Sequence, residues 1–151
     1  MPMPTFSDLK SLEAFLKKSV DNALNAEVAQ AIKETQSDVI QDVVYNAYTP
    51  KLYQRRGALG GGLGDTTNMY HEVYDGVLTV ENRTPPNPDY SHTALQSKSI
   101  DTAVERGERY DYWGDAFPRP FTAKTVERLE NSDILTKAIS SGLNRQGITA
   151  N

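Results

Sequence analysis

The sequence predicts an α+β domain: a small antiparallel sheet with a central hairpin, packed by N-terminal helices and a C-terminal helix. Three observations lead there. Apolar residues recur at three- and four-residue steps near both ends of the chain. Between them lies MYHEVYDGVLTVEN, two β-rich runs around Asp75-Gly76. Glycine and proline gather in the middle, which separates the helical ends from the hairpin.

The first helix is expected from about Asp8 to Leu24, with Thr5, Ser7 and Asp8 as candidate N-caps. Leu9, Leu12, Leu16, Val20 and Ala23 form its stripe, and Asn22 and Asn25 suggest a break. A second helix, about Ala26 to Ala47, carries Val28, Ile32, Val39 and Val43 on one face. Ile40 and Val44 widen that face near the end, and Pro50 sets the stop. Residues 49–67 then read as an arm and glycine loop, suited to docking on a partner rather than packing in a core.

The Asp75-Gly76 pair marks a type I′ hairpin. Alternation places Met69, His71 and Val73 on one face, with Leu78 and Val80 on the return strand. The prolines of Thr84 to Pro88 end the hairpin and open a long loop at 84–98. Ser99 to Arg106 reads as a strand or a short helix. The C-terminal helix is expected from about Thr122 to Leu143, kinked at Asn131-Ser132-Asp133, where Asp133 is a candidate cap. Gly142 and Gly147 mark its fraying end. The 151 residues are read as a single domain.

A net charge of −4 argues against a dedicated nucleic-acid binder. The absence of cysteine removes disulfides, thiolate nucleophiles and cysteine metal sites. No apolar run approaches the roughly 18 residues of a membrane span, and MPMPTFSDLK has neither part of a signal peptide. GALGGGLGD lacks the Lys-Ser/Thr of a phosphate loop and opens no helix. His71 and His92 are too few and too far apart for a zinc-hydrolase pair. Glu105, Glu108, Asp111 and Asp115 surround Tyr110, Tyr112 and Trp113, which leaves a two-carboxylate hydrolase as a remote alternative. No catalytic residue, metal site or cofactor is assigned, and the chain is read as a non-enzyme.

Two segments have the composition of contact surfaces. Tyr53, Arg55 and Arg56 make a basic, aromatic arm, and interface hot spots favour those residue types. Trp113, Arg119 and Phe121 lie in a second aromatic run, read either as a core plug or as a subunit contact.

The order of short motifs resembles the tail-completion, or tail-component, family of neck proteins in tailed bacteriophages. The matching residues are Arg56, Gly57 and Leu59 after the long helix, Glu105 and Gly107 in AVERGERYDYW, and Pro118-Arg119-Pro120-Phe121 before the last helix. The segment YTPKLYQRRG is also similar to minor structural proteins in phages of low-GC Gram-positive bacteria. The likeness covers about residues 28–147, with a longer glycine run at 60–64 and a longer insert at 84–98. The first helix matches nothing in it. The resemblance implies a structural virion protein made in the host cytoplasm. It implies a homo-oligomeric ring, a hexamer or dodecamer, between connector and tail tube. Other neck and tail-tube proteins would be its partners, DNA would pass the lumen without specific binding, and no membrane is involved. A head-tail adaptor or a tail terminator is the alternative within the virion.

Overall fold

The computed structural model describes residues 4–47, 49, 56–57, 60–86, 100–107 and 117–150. The fold is α+β, with one two-stranded antiparallel sheet among the described residues. Helix α1 spans Leu9–Ala23 and starts at Asp8, whose carboxylate accepts from the Ser11 backbone N–H at 2.8 Å. That bond satisfies one of the free donors of the first turn. Phe6, just outside the cap, packs on Phe15 with ring centroids 5.0 Å apart.

The helix does not break at Asn22 or Asn25. It runs through a π turn, Leu24–Val28, into α2, Ala29–Ile40, and then through a second π turn, Gln41–Tyr45. A π turn accommodates one extra residue. Ala23 and Val28 are both buried although they are five residues apart. The extra residue keeps both on the packed side, where an uninterrupted α-helix would turn one away. The helix stops at Asn46, whose N–H donates to the Gln41 carbonyl at 2.9 Å.

A short 3-10 turn, Thr66–Asn68, leads into β1, Met69–Tyr74, which pairs with β2, Val77–Asn82. Asp75 and Gly76 both have positive φ, 48° and 76°. That is the type I′ geometry the Asp-Gly pair predicts. The alternation also holds: Met69, His71, Val73, Leu78 and Val80 are buried or half-buried, while Tyr70, Glu72, Tyr74, Val77 and Thr79 face outward. Residues 100–106 resolve the strand-or-helix question as helix α3, Ile100–Arg106. The C-terminal helix is two, α4 (Phe121–Glu130) and α5 (Ile134–Arg145), separated where the kink is expected. Asp133 stands at the cap position of α5 but makes no side-chain cap bond; its carboxylate pairs with Lys137 at 2.7 Å instead. Nor does α5 simply fray. Gly147, at φ 81°, allows its own N–H to bond the Asn144 carbonyl and that of Ile148 to bond Leu143, both at 3.0 Å. These two bonds make a Schellman cap.

The chain divides into two compact units. The first holds residues 4–32, 71–80 and 129–150. In it α5 lies against α1 and the first π turn. Contact is close because Gly142 has no side chain: a Cβ there would stand 2.5 Å from the Ala23 Cβ. Gln146 ties the pair further, donating to the Ser19 carbonyl at 2.8 Å and accepting from Asn22 at 2.9 Å. Lys17 on α1 holds Asp75 at the hairpin turn, 2.8 Å away. The second unit holds the described parts of 33–70 and 81–128. Its core is Val39, Ile40, Val44, Leu63, Met69, Ile100, Val104 and Phe121. Burying such side chains stabilises by roughly 1.5–3 kcal/mol each.

Candidate functional site

The described part of the glycine run is a packed element, not a free arm. Gly62, Leu63, Gly64 and Asp65 are buried. Asp65 organises the turn: its carboxylate accepts from the backbone N–H of Gly61 and of Thr67, each at 2.9 Å, and from the Thr67 hydroxyl at 2.7 Å. The Thr67 bonds, followed by that from Gly61, hold its carboxyl below the usual aspartate range. Asn68 donates to the carbonyls of Gly61 and Gly62, both at 3.0 Å. Partners distant in sequence complete the clamp. Gly64 donates to the Tyr45 hydroxyl at 2.9 Å, Ser37 donates to the Gly64 carbonyl at 2.6 Å, and Asn82 donates to the Leu63 carbonyl at 2.8 Å. Glycine is required at position 62, where a Cβ would lie 2.4 Å from the Gly57 carbonyl oxygen. Buried backbone groups need partners, and here side chains supply them.

The same economy appears at the predicted contact residues. Tyr53, Arg55 and Trp113 lie outside the described residues, as do Glu108, Asp111 and Asp115. Arg56 is half-buried and donates to the Pro85 carbonyl at 2.7 Å, so it fastens the chain beyond β2. Phe121 is fully buried in the core of its unit, which is the packing reading of the two given for the aromatic run. Arg119 is half-buried with its guanidinium 5.2 Å from the Phe117 ring centroid.

The Glu-x-Gly and Pro-Arg-Pro-Phe segments meet in a joint. The Arg119 N–H donates to the Val104 carbonyl at 3.1 Å. Glu105 accepts from the Thr122 N–H and so caps α4. Gly107, at φ 66°, admits Pro118, whose nitrogen would be 2.3 Å from a Cβ there. Glu105, the acid at the head of the hydrolase alternative, therefore has a structural task. Among the described residues no three His, Cys, Asp or Glu side chains converge as a metal site. No helix among them is long and apolar enough to cross a membrane.

Two surfaces were not singled out by sequence reasoning. On α1 the apolar stripe is largely uncovered: Leu9 is 84% exposed, and Leu16 and Val20 are exposed as well. On the hairpin the outward face carries Tyr74, 80% exposed, and Val77, 64% exposed, on either side of the turn. Between Tyr70 and Tyr74 on that face stands Glu72. The signal was in the sequence: a sheet solvated on one face ordinarily carries polar residues there, whereas this hairpin sets two tyrosines and a valine among Glu72, Thr79 and Glu81.

The fold is thus that of a small α+β protein whose recognisable motifs hold its own loops in place. A model of the YomN family matches residues 8–145, and the chain belongs to that family. The SPbeta prophage-derived uncharacterized protein YomN of Bacillus subtilis (strain 168) is 27% identical over 148 residues, covering 93% of this chain and 95% of the relative. No solved structure gives a significant match.

Proposed function

We propose that this chain is a structural protein of a tailed phage, working in the neck at tail completion or head-tail joining. The observation that carries the reading is the near-full-length match to a relative whose name marks it as prophage-derived. The order of the Arg-Gly-x-Leu, Glu-x-Gly and Pro-Arg-Pro-Phe segments supports the neck in particular, with a head-tail adaptor or tail terminator as the neighbouring roles. In this reading the chain makes and breaks no bonds. Copies of it form a ring between connector and tail tube, each subunit offering two different surfaces so that rotation closes the assembly. The uncovered apolar residues of α1 and the hairpin are the kind of surface such contacts use. DNA crosses the lumen without being gripped, in keeping with a net charge of −4.

Labelling the protein in assembled particles tests the role. Electron microscopy of particles carrying a tagged chain is expected to show label at the head-tail junction, in a closed ring. Label on the capsid shell, or particles that lack the protein, would overturn it. Exchange of both Arg55 and Arg56 for Glu is expected to leave heads and tails unjoined.

A further inference from the structure

We propose that the outward face of the hairpin, centred on Glu72 and Tyr74, receives the basic segment 51–55 of a second copy of this chain, with Arg55 as the residue that seats on it. This deepens the ring reading above and rests on it. The face belongs to one unit: Glu72, Tyr74, Val77 and Thr79 are all exposed and lie on the same side of β1 and β2.

Charge complementarity identifies the occupant. Residues 69–82 contain Glu72, Asp75 and Glu81 and no Lys or Arg. Asp75 is engaged by Lys17 and Glu81 by Arg83, at 2.8 and 2.7 Å. Among the described residues Glu72 enters no ion pair, so it is the acid left open at the middle of the face. The segment KLYQR, residues 51–55, is the reverse: Lys51 and Arg55 with Leu52 and Tyr53, and no acid.

The strand itself shows how this face binds a cation. Two steps of the alternation away from Tyr74, the Arg83 guanidinium lies over the Tyr70 ring, 4.0 Å from its centroid. Arginine both stacks on aromatic rings and pairs with carboxylates, so a tyrosine beside a glutamate suits it better than lysine. Tyr70 has its arginine within the chain. Tyr74 repeats the arrangement four residues on, with Glu72 beside it and its ring open to solvent. Val77, across the turn, offers apolar surface for Leu52 or Tyr53. In a head-to-tail contact each copy gives its basic segment to one neighbour and its hairpin to the other, which propagates around a ring.

Charge exchange in the full-length chain tests the contact. Association is followed by sedimentation and native mass spectrometry, with circular dichroism confirming the fold of each variant. Glu72→Arg and Arg55→Glu are each expected to weaken self-association by about tenfold or more, and the double variant to recover most of it, as paired sites do. Arg55→Lys is expected to recover less, because lysine stacks poorly. A chain that assembles normally with either single reversal overturns the surface and leaves the ring reading standing. A wild-type chain that stays monomeric at every concentration overturns the second-copy contact along with that reading. The absence of cysteine allows a direct check: chains with Gln54→Cys and chains with Thr79→Cys are expected to cross-link only when mixed. A disulfide formed only inside one doubly substituted chain would show the segment on its own hairpin and overturn the proposal.

Discussion

Two stretches of the long helix are alike in sequence and unlike in burial. Leu9, Leu12, Leu16 and Val20 on α1 form as regular a stripe as Val39, Ile40 and Val44 at the other end. Yet the second set is 0–3% exposed, while Leu9, Leu16 and Val20 stand open. Helical spacing states which residues share a side; it says nothing about what will lie on that side. Around Val39 and Val44 the chain supplies Leu63 from the glycine turn, Met69, and residues of α3 and α4. Along α1 its own cover is α5, and α5 meets the face of Ser19 and Ala23 rather than the leucines.

The sharpest way to break this comparison is to truncate one residue from each set. Phe121→Ala, in the covered core, is expected to destabilise the folded chain by about 3–5 kcal/mol. Leu16→Ala, on the uncovered stripe, is expected to change stability by no more than about 0.5 kcal/mol. Denaturant unfolding measures both, and equal losses would mean that α1 is covered after all.

Next in size is the anchor of the glycine turn. Asp65→Ala leaves the Gly61 and Thr67 donors without their acceptor and is expected to cost about 1–3 kcal/mol. The carboxyl is held below its unfolded value by the Thr67 and Gly61 bonds. The unfolded state therefore binds the proton first, and the stabilisation is complete above about pH 5, a unit over the unfolded aspartate value. It falls away as the pH drops through the lower, folded value. Comparing wild type with Asp65→Asn at pH 6 and at progressively lower pH is expected to show the gap closing only under acid.

Gly142→Ala probes the cover that α1 does have. Alanine favours helix over glycine by about 1 kcal/mol, but its methyl would meet Ala23 at 2.5 Å. Overpacking of about 1–3 kcal/mol is expected to win by a small margin, read as a lower melting temperature. The smallest effect belongs to Lys17→Ala. Its pair with Asp75 is solvent-exposed on both sides, so no resolvable change in thermal unfolding is expected.

Much of this fold was legible because it rests on local chemistry. Asp8 caps α1, Asp75-Gly76 turns the hairpin, and the alternation of β1 and β2 places each side chain on the expected face. What escaped depends on residues far apart in sequence. Nothing in GGGLGD announces that Ser37, Tyr45 and Asn82 will satisfy its backbone, so the run reads as an arm. The π turns were half legible. The five-residue step from Ala23 to Val28 contained the inserted residue, but a pattern of threes and fours passes over it. Of the candidate contact residues, Phe121 proves to be core and Arg56 a fastening to Pro85. Both carry the apolar or hydrogen-bonding character of an interface residue, and composition alone cannot say which surface is internal.

The joint between Val104, Gly107 and Pro118 has a consequence for how such proteins diversify. It brings the chain back to its departure point and fixes both ends on the core. Relatives can change their sequence elsewhere while position 107 stays bare, because a side chain there would part the end of α3 from the turn that leads into α4.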